Sequence, residues 1–344
     1  MKMKRIYYLL PALLLSVGIA MAYRFAFGSN VVVKNGATYL YIPTGASFKQ
    51  LSGLLYPHLQ NRKSFEKIAA LKNYPAHVRP GRYEIADGMS NVELVDELRS
   101  GRQSPVRLVF NRAETLKGFA ARIARQLEPN KQALCNAFWE PKFLTDHRLD
   151  SETVKQILIP DTYFVYWNIS ATAFRDRMLS EYQKFWNAER RAQARAENLT
   201  PLQVSTLASI VQKETNNTDE MPMVAGVYLN RLRDNWKLQS NPTVIYAFKL
   251  RHGFDTLVRR VLYADLEIDS PYNTYKYAGL PPAPIGIPDK QALEAVLHAK
   301  RHGYYFMTSD PTDSGRFHFT KTFAAHKRNR LKNDAWVKKQ GINR

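Results

Sequence analysis

The hydrophobic pattern begins with an unbroken apolar run. Residues 6–23, IYYLLPALLLSVGIAMAY, carry no charge, and Lys2, Lys4 and Arg5 stand directly before them. A run of that length just crosses a bilayer as a helix, and flanking cations stay on the cytoplasmic side. The pattern predicts a cytoplasmic tail over 1–5, a transmembrane anchor over 6–27 and all later residues on the outer side of an inner membrane. The competing reading is a cleaved signal peptide, because Ala20, Ala22 and Ala26 offer small residues after the run.

Beyond the anchor the pattern shortens and alternates. VVVKNGATYLYIPTGASF holds two β-rich runs around Lys34, Asn35 and Gly36, which predicts a hairpin. FKQLSGLLYPHL and SFEKIAALKNY read as short helices, and RPGRYEIADGM as a Pro80–Gly81 turn into a strand over Arg82–Ile85. NVELVDELRSG reads as an amphipathic helix with Val92, Val95 and Leu98 on one side and Gly101 after its end. The order β, α, α, β, α outlines a small mixed module over 30–104, and the remainder, 105–344, forms a second domain. That remainder opens with the strand PVRLVFN and the helix TLKGFAARIARQL, and a charged helical stretch over 172–198 keeps Phe174, Met178, Tyr182 and Phe185 in register. It closes with the helix DKQALEAVLHA, the strands GYYFMTS and RFHFTKT around SDPTDSG, and the basic helix FAAHKRNRLKNDAW. The class is α+β.

In the middle lies LQVSTLASIVQKETNNTDEMPMVAGVYLNRLRDNWKLQSNPTVIY, residues 202–246. Val204, Leu207, Ala208 and Val211 recur at helical spacing, and three residues further the stripe reaches Glu214. The cap and turn residues Thr215 to Asp219 end the helix there. Partial burial and the negative end of the helix dipole both disfavour a charged carboxylate, so Glu214 is a candidate general acid. The same position also suits an ordinary polar residue at a frayed helix end. A second helix follows over Met223–Arg233, then LQSNPTVIYAF as a loop closed by a short helix that Pro242 begins. SPYNTYKYAGLPPAPIGIP is stiffened by proline and presents tyrosine, asparagine and threonine side chains.

Composition narrows the chemistry. The formal charge is +20 and basic residues are spread along the chain, which favours nucleic acid, phospholipid headgroups or a carboxylate-bearing polymer as partner. No nucleic-acid motif accompanies the charge. Cys135 is the only cysteine, which rules out an intrachain disulfide and a cysteine-based zinc cluster. Asp146, His147 and Asp150 lack metal-site spacing and read as solvated loop residues.

The ordered segments IPTGASF, RPGRYEI, DGMSNVELVDEL, IPDTYF, LASIVQKET, VYLNRL, LQSNPTVIY, SPYNTY, GLPPAPI and FHFTKTFAAH resemble the MltG (YceG-like) family of endolytic murein transglycosylases. The likeness runs from about Ile42 to about Arg328, and no single motif carries it. It implies a single-pass inner-membrane protein with a lysin-motif-like subdomain and a periplasmic catalytic domain. Such proteins cut nascent peptidoglycan strands between N-acetylmuramic acid and N-acetylglucosamine, leave a 1,6-anhydro end and need no cofactor. The resemblance places the catalytic acid of the K-E-T segment at Glu214 and implies association with penicillin-binding proteins. Gln239, Asn241, Thr243, Tyr246, Asn273 and Tyr275 are then candidates for holding sugar groups, with Asp161 and Tyr163 completing or backing the groove. Asp219 and Glu220 read as exposed turn residues. Four positions depart from the family pattern: Gln212 replaces a carboxylate, Asn241 an aspartate, and Ala283 and Asp289 replace glycines. The rival functions are a hydrolytic muramidase and a non-catalytic peptidoglycan-binding scaffold.

Overall fold

The computed structural model describes the backbone of residues 2–339 except positions 35, 111, 112, 259, 314 and 315, and the side chains of those residues except 2–12 and 337. The chain is mixed α+β, mostly helical, with two-stranded sheets. It divides into two compact units, one of residues 1–108, 125–129 and 163–170, the other of 109–124, 130–162 and 171–344.

The first unit begins with α1 (Lys2–Phe27). Among the described residues no helix is long and apolar enough to cross a membrane; the side chains of residues 6–12 of the expected anchor lie outside the description. Next come β1 (Ala37–Ile42), α2 (Phe48–Leu55), α3 (Arg62–Leu71), β2 (Gly81–Ala86) and α4 (Asn91–Ser100). β1 and β2 pair antiparallel with Leu40 opposite Tyr83. Alternation turns Leu40, Ile42, Tyr83 and Ile85 inward against Leu51, Phe65 and Leu94. A capping box between Ser90 and Glu93 starts α4, and Gly101 ends it at φ 73°, where any Cβ would be strained.

The expected hairpin around Lys34 and Gly36 does not form. Val31 bridges Leu59 instead, its backbone N–H donates to Met89 O at 2.9 Å, and β1 takes β2 as partner. Val31 and Val33 are buried in the core, so apolar burial outweighs the local turn signal. The turn residue Asn35 lies outside the described residues.

β3 (Val106–Val109) pairs with β4 (Thr162–Val165). In the second unit, α5 (Leu116–Ile123), α6 (Lys131–Phe138) and α7 (Pro141–Asp146) precede α8 (Ala171–Phe185) and α9 (Ala188–Ala196). The helical stretch expected over 172–198 is thus two helices. Asn187 restarts the second by accepting a hydrogen bond from Arg190 N at 2.9 Å.

The core of this unit surrounds α10 (Pro201–Glu214), with α11 (Met221–Arg233), α12 (Asn241–His252) and α13 (Lys290–Leu297) against it. A capping box of Thr200 and Gln203 and a proline in the first turn start α10. The apolar stripe predicts one buried face, yet every residue from Val204 to Gln212 is buried. Small hydroxyls make this possible by bonding within the helix: Thr206 Oγ1 donates to Leu202 O and Ser209 Oγ to Thr206 O. The strands β5 (Phe306–Ser309) and β6 (Phe317–Thr320) form an antiparallel pair, and α14 (Phe323–Lys339) follows.

Candidate active site

Glu214 is the last residue of α10, and Thr215 is its C-cap in extended conformation. Its carboxylate is partly buried and engaged on one side only. Tyr228 of α11 and Ser240 each donate a hydroxyl hydrogen bond to Oε1, both at 2.6 Å. Oε2 has no hydrogen-bond partner among the described residues. Burial pushes the Glu214 carboxyl above the ordinary carboxylate range, against the opposing pull of Ser240, Tyr228 and the Arg231 guanidinium. Position at a helix C-terminus acts in the same direction as burial.

Ser240 is held for this contact. It occupies the N-cap position of α12, yet its hydroxyl makes no capping bond and goes to Glu214 instead. Its backbone is fixed by buried threonines: Thr274 Oγ1 accepts from Ser240 N at 3.0 Å, and Thr243 Oγ1 donates to Ser240 O at 2.7 Å. The preceding Gln239 is exposed and adopts φ 50°, a left-handed conformation that a residue with a Cβ enters at a cost.

Arg231, buried in α11, donates to Tyr305 O at 2.9 Å and also to Leu238 O. Burial lowers its pKa, while Tyr228, Tyr275 and Glu214 favour its charge. Its neighbour Asn230 donates to His302 O and Tyr304 O, both at 2.8 Å. Gly226 permits the approach, for a Cβ there would lie 2.3 Å from Lys300 O.

The sequence-predicted residues separate into groups. Tyr275 is half-buried and donates to Oδ1 of the exposed Asn241 at 2.8 Å. Burial, then the Glu214 charge, raises its pKa. Thr243 and Asn273 are fully enclosed, and Asn273 spends its amide on Leu266 O and Ile268 O, so both support the loop from behind. Asp161 pairs with Lys290. Tyr163 belongs to the first unit and is buried there. Tyr246 is buried in the same core but has other hydrogen-bond partners, accepting from Lys155 Nζ at 2.7 Å and donating to Glu152 at 3.2 Å. Asp219 is exposed as expected, but Glu220 is not: it is half-buried and its Oε2 is enclosed with no hydrogen-bond partner among the described residues. Of the departures from the family pattern, Gln212 accepts from Asp289 N at 2.7 Å, so two of the replacements hold each other. Tyr228, Ser240 and Arg231 were missed by sequence reasoning. Their only signal was membership in the VYLNRL and LQSNPTVIY segments.

A cavity of about 790 Å³ opens beside Lys213, with Glu114, Trp139, Glu152 and Tyr246 in its wall; Glu214 is not among the lining residues. Glu114 there bridges Lys213 at 2.5 Å and Lys249 at 2.8 Å. Although burial raises its pKa, the two lysines hold its carboxyl below the usual range, which makes it a poor proton donor. Among the described residues no group of three or more His, Cys, Asp or Glu is arranged to hold a metal ion.

Residues 40–332 match the profile of the YceG-like family. The chain is 26% identical over 309 residues to the endolytic murein transglycosylase of Bacillus subtilis, covering 83% of this chain and 81% of that protein. It is also 26% identical over 348 residues to the endolytic murein transglycosylase of Streptococcus pneumoniae, covering 92% of this chain and 62% of that protein. A crystal structure of a yceG-like protein of Listeria monocytogenes superposes with a TM-score of 0.56 at 26% identity, covering 86% of this chain and 99% of that one.

Proposed function

The chain belongs to the YceG-like family, and from that premise we propose that it is an endolytic murein transglycosylase with Glu214 as its single acid and base. The observation that carries this reading is the state of the Glu214 carboxyl: raised in pKa, clamped at Oε1 and, among the described residues, without a partner at Oε2. Such a group is protonated over a wider pH range than a solvated glutamate and has one oxygen available to a substrate.

Most glycosidases need a second carboxylate as nucleophile or to activate water. A transglycosylase does not, because the 6-hydroxyl of N-acetylmuramic acid attacks its own anomeric carbon. Glu214 gives its proton to the glycosidic oxygen as the C1–O bond to that oxygen breaks. O6 then bonds to C1, and its proton returns to the carboxylate. The products are a free 4-hydroxyl on N-acetylglucosamine and a 1,6-anhydro ring, with no water consumed. Asn241 and Tyr275, adjoining Ser240, are placed to hold the sugar, and Arg231 favours the transient carboxylate.

The reading places the anchor at residues 6–27 in the inner membrane, the catalytic unit in the periplasm and a lysin-motif-like role on the βααβ module. It has strand cleavage terminate glycan elongation beside the penicillin-binding proteins. The deciding experiment incubates the purified chain and its Glu214→Gln variant with peptidoglycan and analyses the products by mass spectrometry. Wild type releases ends one water lighter than reducing ends, and the variant loses about 10²–10⁴-fold in rate. Reducing ends from wild type identify a hydrolase, and sacculus binding without any soluble product identifies a scaffold.

A further inference from the structure

Breaking a sugar–sugar bond leaves the cavity beside Lys213 without a task. Its volume, about 790 Å³, lies in the range that encloses a drug-sized ligand. Its wall carries Lys117, Lys131, Lys155 and Lys213. Glu114 neutralises Lys213 and Glu152 neutralises Lys155. Lys117 and Lys131 have no acidic partner among the described residues. Aromatic surface accompanies the charge: Lys117 Nζ lies 5.8 Å from the ring centre of Trp139, and Tyr246 and Phe254 form another part of the lining. Asp255 adds an acidic group that has no lysine partner among the described residues. This combination suits a ligand with carboxylates, an apolar stem and an amine. A bare sugar uses none of the charges, and a small inorganic anion uses neither the rings nor the acid.

The cavity also has a fixed relation to the acid. Lys213 and Glu214 are consecutive on α10, so their Cα atoms are about 3.8 Å apart and their side chains diverge by about 100° around the helix. A helix is about 10–12 Å across with its side chains and an extended chain spans about 3.3–3.6 Å per residue, so a peptide branch of a few residues can reach from one to the other around α10.

We propose that this cavity binds the carboxylate-bearing peptide branch of a peptidoglycan strand, the branch carried by the lactyl group of the same ring whose glycosidic bond breaks at Glu214. This inference rests on the substrate reading above. Lys117 and Lys131 take the carboxylates, Trp139 packs on the stem and Asp255 faces the amine. The site then selects where along a strand the enzyme cuts, by requiring a peptide on the ring that closes.

The test uses the full chain and two substrates: a glycan strand with its peptides, and the same strand after enzymatic removal of the peptides. In the Lys117→Ala/Lys131→Ala variant, the ratio of kcat/KM on peptide-bearing to peptide-free strands falls about tenfold or more relative to wild type, the scale of a lost charged contact. A ratio within about twofold of wild type overturns the proposal. A second readout is independent of turnover. Calorimetric titration of the Glu214→Gln chain with the free peptide shows binding that the double substitution weakens by the same factor. Displacement of that peptide by an equal concentration of inorganic phosphate reduces the site to a general anion pocket and also overturns it. If wild type forms no anhydro ends from either strand while the peptide still binds through Lys117 and Lys131, the catalytic reading fails and the peptide site stands.

Discussion

Tyr228 donates its hydroxyl to Oε1 of Glu214 at 2.6 Å, and this bond opposes the burial that raises the carboxyl's pKa. A donor to a carboxylate stabilises the charged form, so its removal raises the pKa further. Tyr228→Phe therefore moves the alkaline limb of the kcat/KM profile to higher pH. It also lowers the rate at neutral pH on the order of tenfold, because the conjugate base that must form during reaction loses a charge-assisted contact. A pH–rate profile on soluble strands checks both; movement of the limb to lower pH contradicts the assignment.

The same carboxyl links stability to pH. Its folded pKa is above its unfolded value, so between the two the folded state binds more protons and stability falls as pH rises. Below the unfolded pKa the contribution is fully present, and above the folded pKa it is lost. Glu214→Gln keeps an oxygen for Tyr228 and Ser240 and removes the titration. Its melting temperature relative to wild type therefore increases from pH 4 to pH 7. Thermal melts at both pH values decide the matter, and a gap that is constant or shrinks means the carboxyl is not held in its neutral form.

Where local signals agreed with burial, the fold was readable. Ser90, Glu93 and Gly101 bracket α4 as their chemistry dictates, and the βααβ order emerged from alternation and caps. Where a tertiary partner overruled a local signal, the reading failed. Lys34 and Gly36 suggested a hairpin, but Val31 belongs to the core and pairs elsewhere. For α10, Ser205, Thr206 and Ser209 look like a solvent face because hydroxyls count as polar. Two of them satisfy themselves within the helix, so the face packs. Glu214 stood out as a carboxylate because it continues a stripe. Its partners did not, since Tyr228 and Ser240 lie 14 and 26 residues away and no periodicity connects them.

Gly226 tests how tightly the site's frame is built. A Cβ there would lie 2.3 Å from Lys300 O and 2.6 Å from His302 Nε2. The backbone carbonyl cannot swing away as a side chain can, because Lys300 N also donates to Pro222 O at 3.0 Å. Gly226→Ala is expected to destabilise the chain by about 1–3 kcal/mol, the usual range for overpacking. Urea denaturation measures it. An unchanged midpoint means the 300–304 segment moves freely over α11.

Tyr275 separates substrate holding from proton transfer. Its hydroxyl bonds Asn241, not Glu214, so Tyr275→Phe leaves both hydrogen bonds to the acid in place. Removing the hydroxyl frees the Asn241 carboxamide, which loses the orientation that the proposed function assigns to holding the sugar. The expected outcome is a several-fold rise in KM with kcat within about twofold, the signature of an interaction equal in ground and transition states. Electrostatics gives the opposite expectation if Tyr275 acts through the acid. The Glu214 charge helps to raise the Tyr275 pKa, and a residue coupled in that way to the reacting carboxyl lowers kcat when altered. Steady-state kinetics on strands of one length distinguish the two. A fall in kcat at constant KM moves Tyr275 from the sugar-holding group to the proton-transfer group.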